Sequence, residues 1–290
     1  MSNVTFQKIS TLDEKKLLNA IKSIVIETKA HDKNAYNIVN WRWNFKKLPT
    51  KTSHIYVAKS KNKVVGYYHI PTFKFLHDNK KLIIGNVQSV AILKEFRNKG
   101  VFQKLAEFAI SDAQQYIDLL YTFPNNNSIH TFLKYSDFKF VNTLPVYILP
   151  INIHDILKSK KLNYGSKYIS DIIKKISQWR SLQINTNEKI IKTKILSKEN
   201  LKLFTNYNSQ YESCLIRDKA FLKWKYIDTK KSQYFCVSLK NNNNLEASVI
   251  IKFDRMFEHQ CLVIMDYAYK NIISMKKLLS NIKNFQLIKK

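Results

Sequence analysis

The segment that most constrains the fold of this chain is a strand, a basic loop and a helix in immediate succession. Residues 86–92 have the density of β-branched side chains typical of a strand, and residues 101–115 carry apolar side chains at helical spacing. The loop between them contains Arg97, Lys99 and Gly100, the last being one of four glycines in the chain. A helix N-terminus presents unpaired N–H groups and the positive end of the helix dipole. The pattern therefore predicts a binding loop for phosphate or pyrophosphate, with a plain basic surface turn as the alternative.

A second block follows at a short distance. The run Leu119–Thr122 indicates a strand, and the sequence F-P-N-N-N-S at 123–128 indicates a turn before a short helix over 129–135. A closing pair of strands is predicted at Phe138–Asn142 and Val146–Leu149.

Both blocks resemble segments of the GCN5-related N-acetyltransferase (GNAT) superfamily. Its pattern for binding acetyl-CoA is V-x-x-x-P-x-x-R-G-x-G followed by Gly, Ala or Phe, and the residues that match it are Val90, Arg97, Gly100 and Phe102. Lys94 stands at the usual proline and Asn98 at a common glycine, and neither change removes a backbone donor. The second block is similar to the F-P-N-x-N-S segment of a GNAT subset in which pantetheine lies against a splayed strand.

The resemblance implies an acyl-CoA co-substrate, either acetyl-CoA or a short, optionally hydroxylated acyl-CoA, and no metal. Backbone N–H groups at the end of the strand would hold the thioester carbonyl, those of the loop and first helical turn the pyrophosphate, and asparagines of the second block the pantetheine arm. In that order the implied residues are Val90, Ala91 and Ile92; Arg97, Asn98, Lys99, Gly100, Val101 and Phe102; and Asn125 and Asn127.

The motifs do not supply a general base. The position of a glutamate base in some GNAT enzymes holds Asn86, and the position of a frequent general-acid tyrosine falls near Phe132 or Leu133. The other candidates for proton transfer are His69, His130, Tyr135 and Asp266. Histidine qualifies because an unperturbed imidazole titrates at about pH 6.5. Alternatively, Asn86 and Gln88 position a water molecule that relays the proton.

The order of predicted elements is that of an α/β (α+β) GNAT mixed sheet with helices on both faces, followed by a second, degenerate GNAT-like unit. An amphipathic helix is predicted over Thr11–Ala30, and a hairpin over His54–Ser60 and Lys63–Ile70. We expect three parts: a GNAT acyl-CoA-binding domain at 1–150, a helical connector at 151–194 and a degenerate, acceptor-binding GNAT-like domain at 195–290.

The degenerate unit is inferred from an internal echo. Residues 220–227 resemble 36–45, and a predicted hairpin at 234–253 and strand at 261–267 repeat the order of the first half. Where the first half has its basic loop, residues 268–271 contain no glycine. We therefore expect that this unit does not bind CoA and instead forms a wall of the acceptor site.

The acceptor is inferred from another motif. Arg217-Asp218 followed by Trp224-Lys225-Tyr226 resembles a pattern in bacterial GNAT proteins, some of which acylate amino sugars for surface polysaccharides. This implies a nucleotide-linked amino sugar, such as a dTDP-amino-dideoxyhexose, in polysaccharide or lipopolysaccharide biosynthesis. The residues expected to bind it are Trp41, Arg42, Gln88, Arg217 and Trp224, although the tryptophans could instead anchor helix to sheet. Another small amine or a peptide is one alternative, and a non-catalytic CoA- or nucleotide-binding module is another.

The formal net charge of +28 requires an explanation. The 49 Lys and Arg residues are dispersed along an Asn- and Lys-rich chain and no nucleic-acid motif is present, so we expect small-molecule substrates and no specific nucleic acid. There is no signal pattern and no apolar run of membrane length, and the three cysteines lack metal-ligand spacing, which favours a cytoplasmic protein without a membrane segment. A basic amphipathic helix at 168–176 is expected to pack within the protein, with contact to a membrane surface as the alternative.

Overall fold

The structure, a computed structural model, describes residues 3–9, 18–24, 38–147, 182–194, 196–229, 233–256 and 259–282. The strands are β1 (Val4–Lys8), β2 (Ser53–Ser60), β3 (Lys63–His77), β4 (Lys80–Ile92), β5 (Leu119–Thr122), β6 (Glu188–Thr193), β7 (Ser213–Leu215), β8 (Tyr234–Asn241), β9 (Asn244–Met256) and β10 (His259–Tyr269). The helices are α1 (18–24), α2 (Ile38–Phe45), α3 (Val101–Ala113), α4 (Ile129–Tyr135), α5 (Lys198–Asn208), α6 (Lys219–Leu222) with a π-helical continuation (Lys223–Ile227), and α7 (Ile272–Ile282).

The chain forms two compact units, one of Met1–Val141 with Gln210–Lys231 and the other of Asn142–Ser209 with Ser232–Lys290. The first is built on a six-stranded sheet ordered β1-β2-β3-β4-β5, with β7 pairing with β3. Every pair is antiparallel except β4 and β5, which run parallel. Parallel neighbours need a crossover, and α3 provides it. The predicted mixed sheet is confirmed, and it places the basic loop at the start of the crossover.

Helices cover both faces of this sheet, because alternate side chains of its central strands point to opposite sides. On one face α3 buries Leu105 and Ala109 completely. On the other face Phe45 of α2 stacks on His69 of β3. Burial of each large apolar side chain contributes about 1.5–3 kcal/mol, so the packing on both faces fixes the register of the central strands.

The segment Gln210–Lys231 belongs to the first unit, whereas the sequence places it within the predicted domain at 195–290. The pairing of β3 with β2 extends to Pro71, and β7 pairs with the later residues of β3, Phe75 to His77. Trp224 of the same segment stacks on Trp43 of α2. The sequence echo identifies the repeated elements. It does not show which sheet a returning segment joins, because that depends on which sheet edge is free.

The second unit has a four-stranded antiparallel sheet ordered β10-β9-β8-β6. Along the chain, α5 follows β6 and α7 follows β10. This repeats the order of elements in the first half and confirms a second GNAT-like unit. Asn242 and Asn243 adopt φ of +47° and +67° and close the predicted β8–β9 turn. Strand β6 lies inside the predicted connector 151–194, and the helix predicted at 168–176 lies outside the described residues.

Two predictions for the first unit need correction. Strand β3 continues to His77, because Asp78 and Asn79 adopt φ of +48° and +62° and form a second tight turn into β4. The stretch predicted as strands Phe138–Asn142 and Val146–Leu149 is described as far as residue 147, and no strand forms there within that range. Val141 is 92% exposed. Apolar residues form a strand only when a partner strand is available, and composition does not reveal that partner.

Candidate functional site

Residues 97–100 form the loop between β4 and α3. Gly100 has φ of +72°, directly precedes the helix, and no side chain caps the helix start. Asn98 has φ of +58°, a conformation that asparagine tolerates better than most residues, which explains how it replaces the family glycine. Apart from Gly100 itself and its neighbours along the chain, no heavy atom would lie within 4 Å of a Cβ on Gly100, so the loop faces open space. The N–H groups of the first helical turn, 101–103, are left for a ligand.

Arg97 holds this loop against the end of β4. Its Nε donates a hydrogen bond of 3.0 Å to the carbonyl of Ile92. The 3₁₀ turn Lys94–Phe96 joins these two residues, so Lys94 begins a tight turn at the family's proline position. The side chains of Arg97 and Lys99 remain exposed. The loop therefore combines a fixed backbone with positive charge, as an anion site requires.

Strand β4 is irregular just before the loop. The facing pairs across β3 and β4 are Tyr67 with Ala91 and His69 with Gln88, so β4 carries one extra residue here. Ser89 has φ of +53°, which marks the bulge. A bulge leaves backbone groups outside the ladder, and here the register with β3 pairs neither Ser89 nor Val90. Of the predicted thioester-binding residues, Val90 lies in the bulge, while Ala91 and Ile92 have returned to the ladder.

Strands β4 and β5 separate beside this bulge. Their pairing ends at Val87 and Thr122, where Thr122 Oγ1 donates a hydrogen bond of 2.9 Å to the Val87 carbonyl. Strand β4 continues to Ile92, whereas the chain after β5 enters the turn that contains Pro124. Parallel strands that part in this way leave a gap with unpaired backbone groups along it.

The F-P-N-N-N-S segment forms the predicted turn. Asn125 Oδ1 accepts hydrogen bonds from the N–H groups of Asn127 and Ser128, at 3.0 and 3.1 Å. The Asn125 side chain therefore shapes the turn, while the side chain of Asn127 is exposed. Helix α4 has the predicted bounds, and its Phe132 meets Phe102 of α3 edge-on, with ring centroids 5.9 Å apart.

Polar side chains gather on the α2 face of the sheet, next to the gap. Gln88 Nε2 donates a hydrogen bond of 3.3 Å to Oδ1 of Asn44 in α2. His69 lies opposite Gln88, Asn86 precedes Gln88 by two residues, and Tyr121 lies opposite Asn86. Cross-strand partners and alternate residues of one strand share a face. The structure therefore brings together three predicted residues, His69, Asn86 and Gln88, and adds Tyr121.

His69 is the most enclosed member of this group. Its side chain is fully buried, its ring stacks on Phe45 with centroids 3.7 Å apart, and its Nε2 lies 2.6 Å from Ser53 Oγ. Burial, with a smaller effect of the nearby His54, holds the pKa of His69 well below its usual value. The imidazole is therefore neutral at neutral pH, and its enclosure restricts direct contact with a substrate.

The remaining candidates for catalysis or acceptor binding lie elsewhere. His130 and Tyr135 are exposed on α4, and Arg42 is exposed on α2. Trp41 also belongs to α2, but its side chain lies outside the described part of the chain. Asp266 lies on β10 of the second unit, just after a bulge.

Two residues of the motif that contains Arg217, namely Asp218 and Trp224, make contacts that hold the fold together. Asp218 Oδ1 accepts a hydrogen bond of 2.9 Å from the Phe221 N–H and so begins α6. The indole Nε1 of Trp43 donates to the Trp224 carbonyl at 2.7 Å, and the indole Nε1 of Trp224 donates to the Trp43 carbonyl at 3.0 Å. This reciprocal pair joins α2 to the π-helical continuation of α6. The helix-to-sheet contact considered for the tryptophans is a separate one, between Trp224 and Phe73 of β3, whose ring centroids are 5.6 Å apart.

Tyr121 is a residue of this face that the sequence does not single out. In the run Leu-Leu-Tyr-Thr it resembles one more apolar residue of a short strand. Its significance comes from register: it lies opposite Asn86, one pair before β4 and β5 separate. That register follows from the three-dimensional pairing, and the nearest signal in the sequence is the F-P-N segment that begins two residues later.

Comparison with known proteins agrees with this arrangement. Residues 18–138 match the family model described as "Acetyltransferase (GNAT) family", and no protein of curated function matches the chain significantly. A probable N-acyltransferase of Enterococcus faecalis V583 has a similar structure, with a TM-score of 0.61 at 11% identity. A GCN5-related N-acetyltransferase of Anabaena variabilis gives 0.57 at 13%. The match covers 98% of this chain and 63% of each of those two chains.

A third protein of similar structure is the N-myristoyltransferase of Saccharomyces cerevisiae with bound myristoyl-CoA, with a TM-score of 0.53 at 14% identity, covering 98% of this chain and 72% of that one. At such low identity these likenesses concern the fold. Fold and site together define a class of α/β proteins in which a mixed sheet carries an anion-binding loop beside two strands that separate. The resemblance of residues 18–138 to the GNAT acetyltransferase family is thereby confirmed.

Proposed function

We propose that this protein is an N-acyltransferase that moves an acyl group from acyl-CoA to an amine. The observation that carries the proposal is the uncapped start of α3 behind Gly100, directly after a bulged strand that parts from its parallel neighbour. Each feature answers one part of acyl-CoA. The N–H groups of 101–103 suit the pyrophosphate, the gap suits the extended pantetheine arm, and the bulge at Ser89 suits the thioester carbonyl.

Acyl transfer to an amine needs the two substrates side by side, removal of a proton from the ammonium and stabilisation of the tetrahedral oxyanion. The amine nitrogen attacks the thioester carbonyl directly, so no covalent acyl-enzyme is required. Asn86 and Gln88 lie on the face where the amine would approach, and we propose that they hold the water that accepts its proton. His69 remains a candidate only through such a relay, because its ring is enclosed.

We further propose that the second unit has no acyl-CoA site of its own. Its helix α7 begins after Asn271, whose side-chain Oδ1 accepts a hydrogen bond of 2.8 Å from the Ser274 N–H. That side chain occupies the helix start which Gly100 leaves open in the first unit. One acyl-CoA would therefore bind per chain.

For the acceptor we propose a nucleotide-linked amino sugar used in surface polysaccharides, with acetyl-CoA or a short acyl-CoA as donor. Its support is the sequence resemblance around Arg217, together with a strongly basic chain that attracts a diphosphate more readily than a polycation. The proposal places the reaction in the cytoplasm, where both substrates are made. A non-catalytic CoA-binding module is the second candidate, favoured by Asn86 at the glutamate position and by Phe132 and Leu133 at the tyrosine position.

A thermal-shift and turnover experiment tests the proposal. Gly100→Asn keeps a residue that tolerates positive φ but adds a side chain in the open space, so it should fold and lose acyl-CoA affinity by about tenfold or more. Asn98→Gly is the matched control, because it removes a side chain from the same loop and keeps every N–H group.

The melting temperature is measured with CoA, acetyl-CoA and 3-hydroxyacyl-CoA, each with and without dTDP- and UDP-amino sugars. A ligand at about 100 times its Kd stabilises the native state by about 2.7 kcal/mol. Release of CoA thiol in the presence of an amino sugar supports the enzyme, whereas stabilisation without turnover supports the binding module. No stabilisation by any CoA species would falsify both.

A further inference from the structure

Tyr121 stands at the base of the gap between β4 and β5. It pairs with Asn86, and the last pair before the strands part is Val87 with Thr122. Because the pair Val87–Thr122 lies between Tyr121 and the gap, the Tyr121 backbone is about one strand residue, or about 3.3 Å, from the point of separation. The opposite face of the sheet at this point is filled by Val87, which is buried. Tyr121 therefore borders the gap from the α2 face, beside Asn86 and Gln88.

Among the described residues, Tyr121 is held by a contact of its aromatic ring and not by a hydrogen bond of its hydroxyl. Its ring meets Phe123 edge-on at a centroid distance of 5.6 Å, and the side chain is half-buried. No hydrogen bond joins the hydroxyl to another group in the part of the chain that the structure describes. The hydroxyl of Tyr56, by contrast, donates a hydrogen bond of 2.7 Å to Asp112. A half-buried donor that has no partner among the described residues, and that stands beside the gap, is suited to a hydrogen bond with a substrate.

The geometry points to Tyr121 as the general acid of the transfer, donating its proton to the CoA sulfur. This inference rests on the proposed acyltransferase function. As the amine nitrogen forms its bond to the carbonyl carbon, the carbon–sulfur bond breaks and its electron pair goes to sulfur. The O–H proton of Tyr121 passes to that sulfur and gives the CoA thiol. The proton that nitrogen loses returns through water beside Asn86 to the tyrosinate, so the step is balanced.

Two further observations agree with this role. Burial raises the pKa of Tyr121 to about 12, so the hydroxyl carries its proton at neutral pH and acts as a donor. Tyr135, the tyrosine among the candidates named from the sequence, lies exposed at the end of α4 with the Lys134 Nζ 5.2 Å from its ring centroid. Tyr121 belongs to a strand that pairs with β4 next to the gap. Tyr135 belongs to a helix and has no such pairing with β4.

The test compares Tyr121→Phe with wild type using two acyl donors of different leaving-group basicity. With acyl-CoA, kcat of the variant should fall about 100-fold with little change in KM, as expected when a general acid is removed. With an aryl thioester, whose thiolate leaves without protonation, the loss should shrink to less than about threefold. The melting temperature of the variant shows whether it folds.

Tyr116→Phe is the matched control, because Tyr116 is exposed beyond the C-terminal end of α3; Tyr135→Phe tests the rival. An equal loss with both thioesters, or no loss with acyl-CoA, overturns the role of Tyr121 while wild-type turnover keeps the acyltransferase. A large, leaving-group-dependent loss in Tyr135→Phe assigns the role to Tyr135 instead. A wild-type protein that turns over neither donor removes the proposed function, and this inference with it.

Discussion

Two glycines show how single residues set the distance between the backbone and its neighbours. Gly100 faces open space at positive φ, where a ligand can approach. Gly85 is the opposite case: a Cβ there would lie 2.6 Å from Ile70 Cγ2 and 2.7 Å from Leu120 Cδ2. Because Leu120 is the β5 residue opposite Gly85, this glycine allows β5 to close on β4 just before the strands part.

Gly85→Ala should therefore destabilise the protein by about 1–3 kcal/mol through overpacking. It should also lower kcat, since β5 carries Tyr121 next to the displaced residue. Gly66→Ala is the comparison, because its Cβ would mainly meet the end of one side chain, Ile92 Cδ1. Urea denaturation measures both variants, and a larger loss of stability for Gly66→Ala would contradict the argument.

Buried histidines predict how stability depends on pH. Burial, first, and the charge of Lys8 lower the pKa of His54, and burial lowers that of His69 further. The unfolded chain then binds more protons than the native state below about pH 6.5. This contribution to stability is complete above that pH and is lost as the pH falls, by at most about 1.4 kcal/mol per pH unit for each histidine.

His69→Gln should make the free energy of unfolding less dependent on pH in the range from about pH 5 to 6.5. Adding His54→Gln should reduce this pH dependence further. The measurement is a series of urea denaturation curves across that range. If the slope of stability against pH in His69→Gln equals that of wild type, His69 does not titrate as its burial implies.

At the scale of elements, the local sequence pattern predicts the core strands and helices, but it does not predict which strands pair with each other. Helix α4 and the start of α3 agree with the prediction because apolar periodicity and the turn residues are local signals. The bulge at Ser89 could not be predicted, since it is defined by one extra residue relative to β3. The position of Tyr121 could not be predicted for the same reason. The apolar run after Phe138 was wrongly predicted to form strands because the sequence does not show whether a partner strand is available.

The contact between α2 and α6 also depends on pairing across the fold. Trp43 and Trp224 stack with centroids 4.8 Å apart and exchange two indole-to-carbonyl hydrogen bonds. Each substitution to Phe should cost about 1–3 kcal/mol, because it removes one hydrogen bond and leaves a carbonyl without its donor.

The double variant should cost less than the sum of the two single variants by about 0.5–1.5 kcal/mol, because the stacked rings are shared between them. A double-mutant cycle in urea measures this coupling. Strict additivity would mean that the two tryptophans contribute independently, and the anchoring role would then have to be abandoned.

At the scale of the whole molecule, the dominant property is its net charge of +28. A charge of this size raises the local concentration of polyanions and speeds their association at low salt. Among the exposed cations, Lys94, Arg97, Lys99 and Lys104 surround the loop at the start of α3. Acyl-CoA carries its phosphates toward that loop in the proposed complex, whereas the thioester end is uncharged. The charge should therefore act on the nucleotide end of the donor, which makes it separable from the chemistry at Tyr121.

Raising the ionic strength from about 0.1 M to 1 M shortens the screening length from about 10 Å to 3 Å. Over that range kcat/KM for acyl-CoA should fall about tenfold or more, because steered association is lost. Acyl-pantetheine, which has the same thioester and no phosphate, should be turned over more slowly at low salt but change little with ionic strength. The ratio of the two kcat/KM values is the measurement, since it cancels any effect of salt on folding or on the amine. A ratio that stays constant would show that the positive charge does not assist the donor, and the charge would then reflect composition alone.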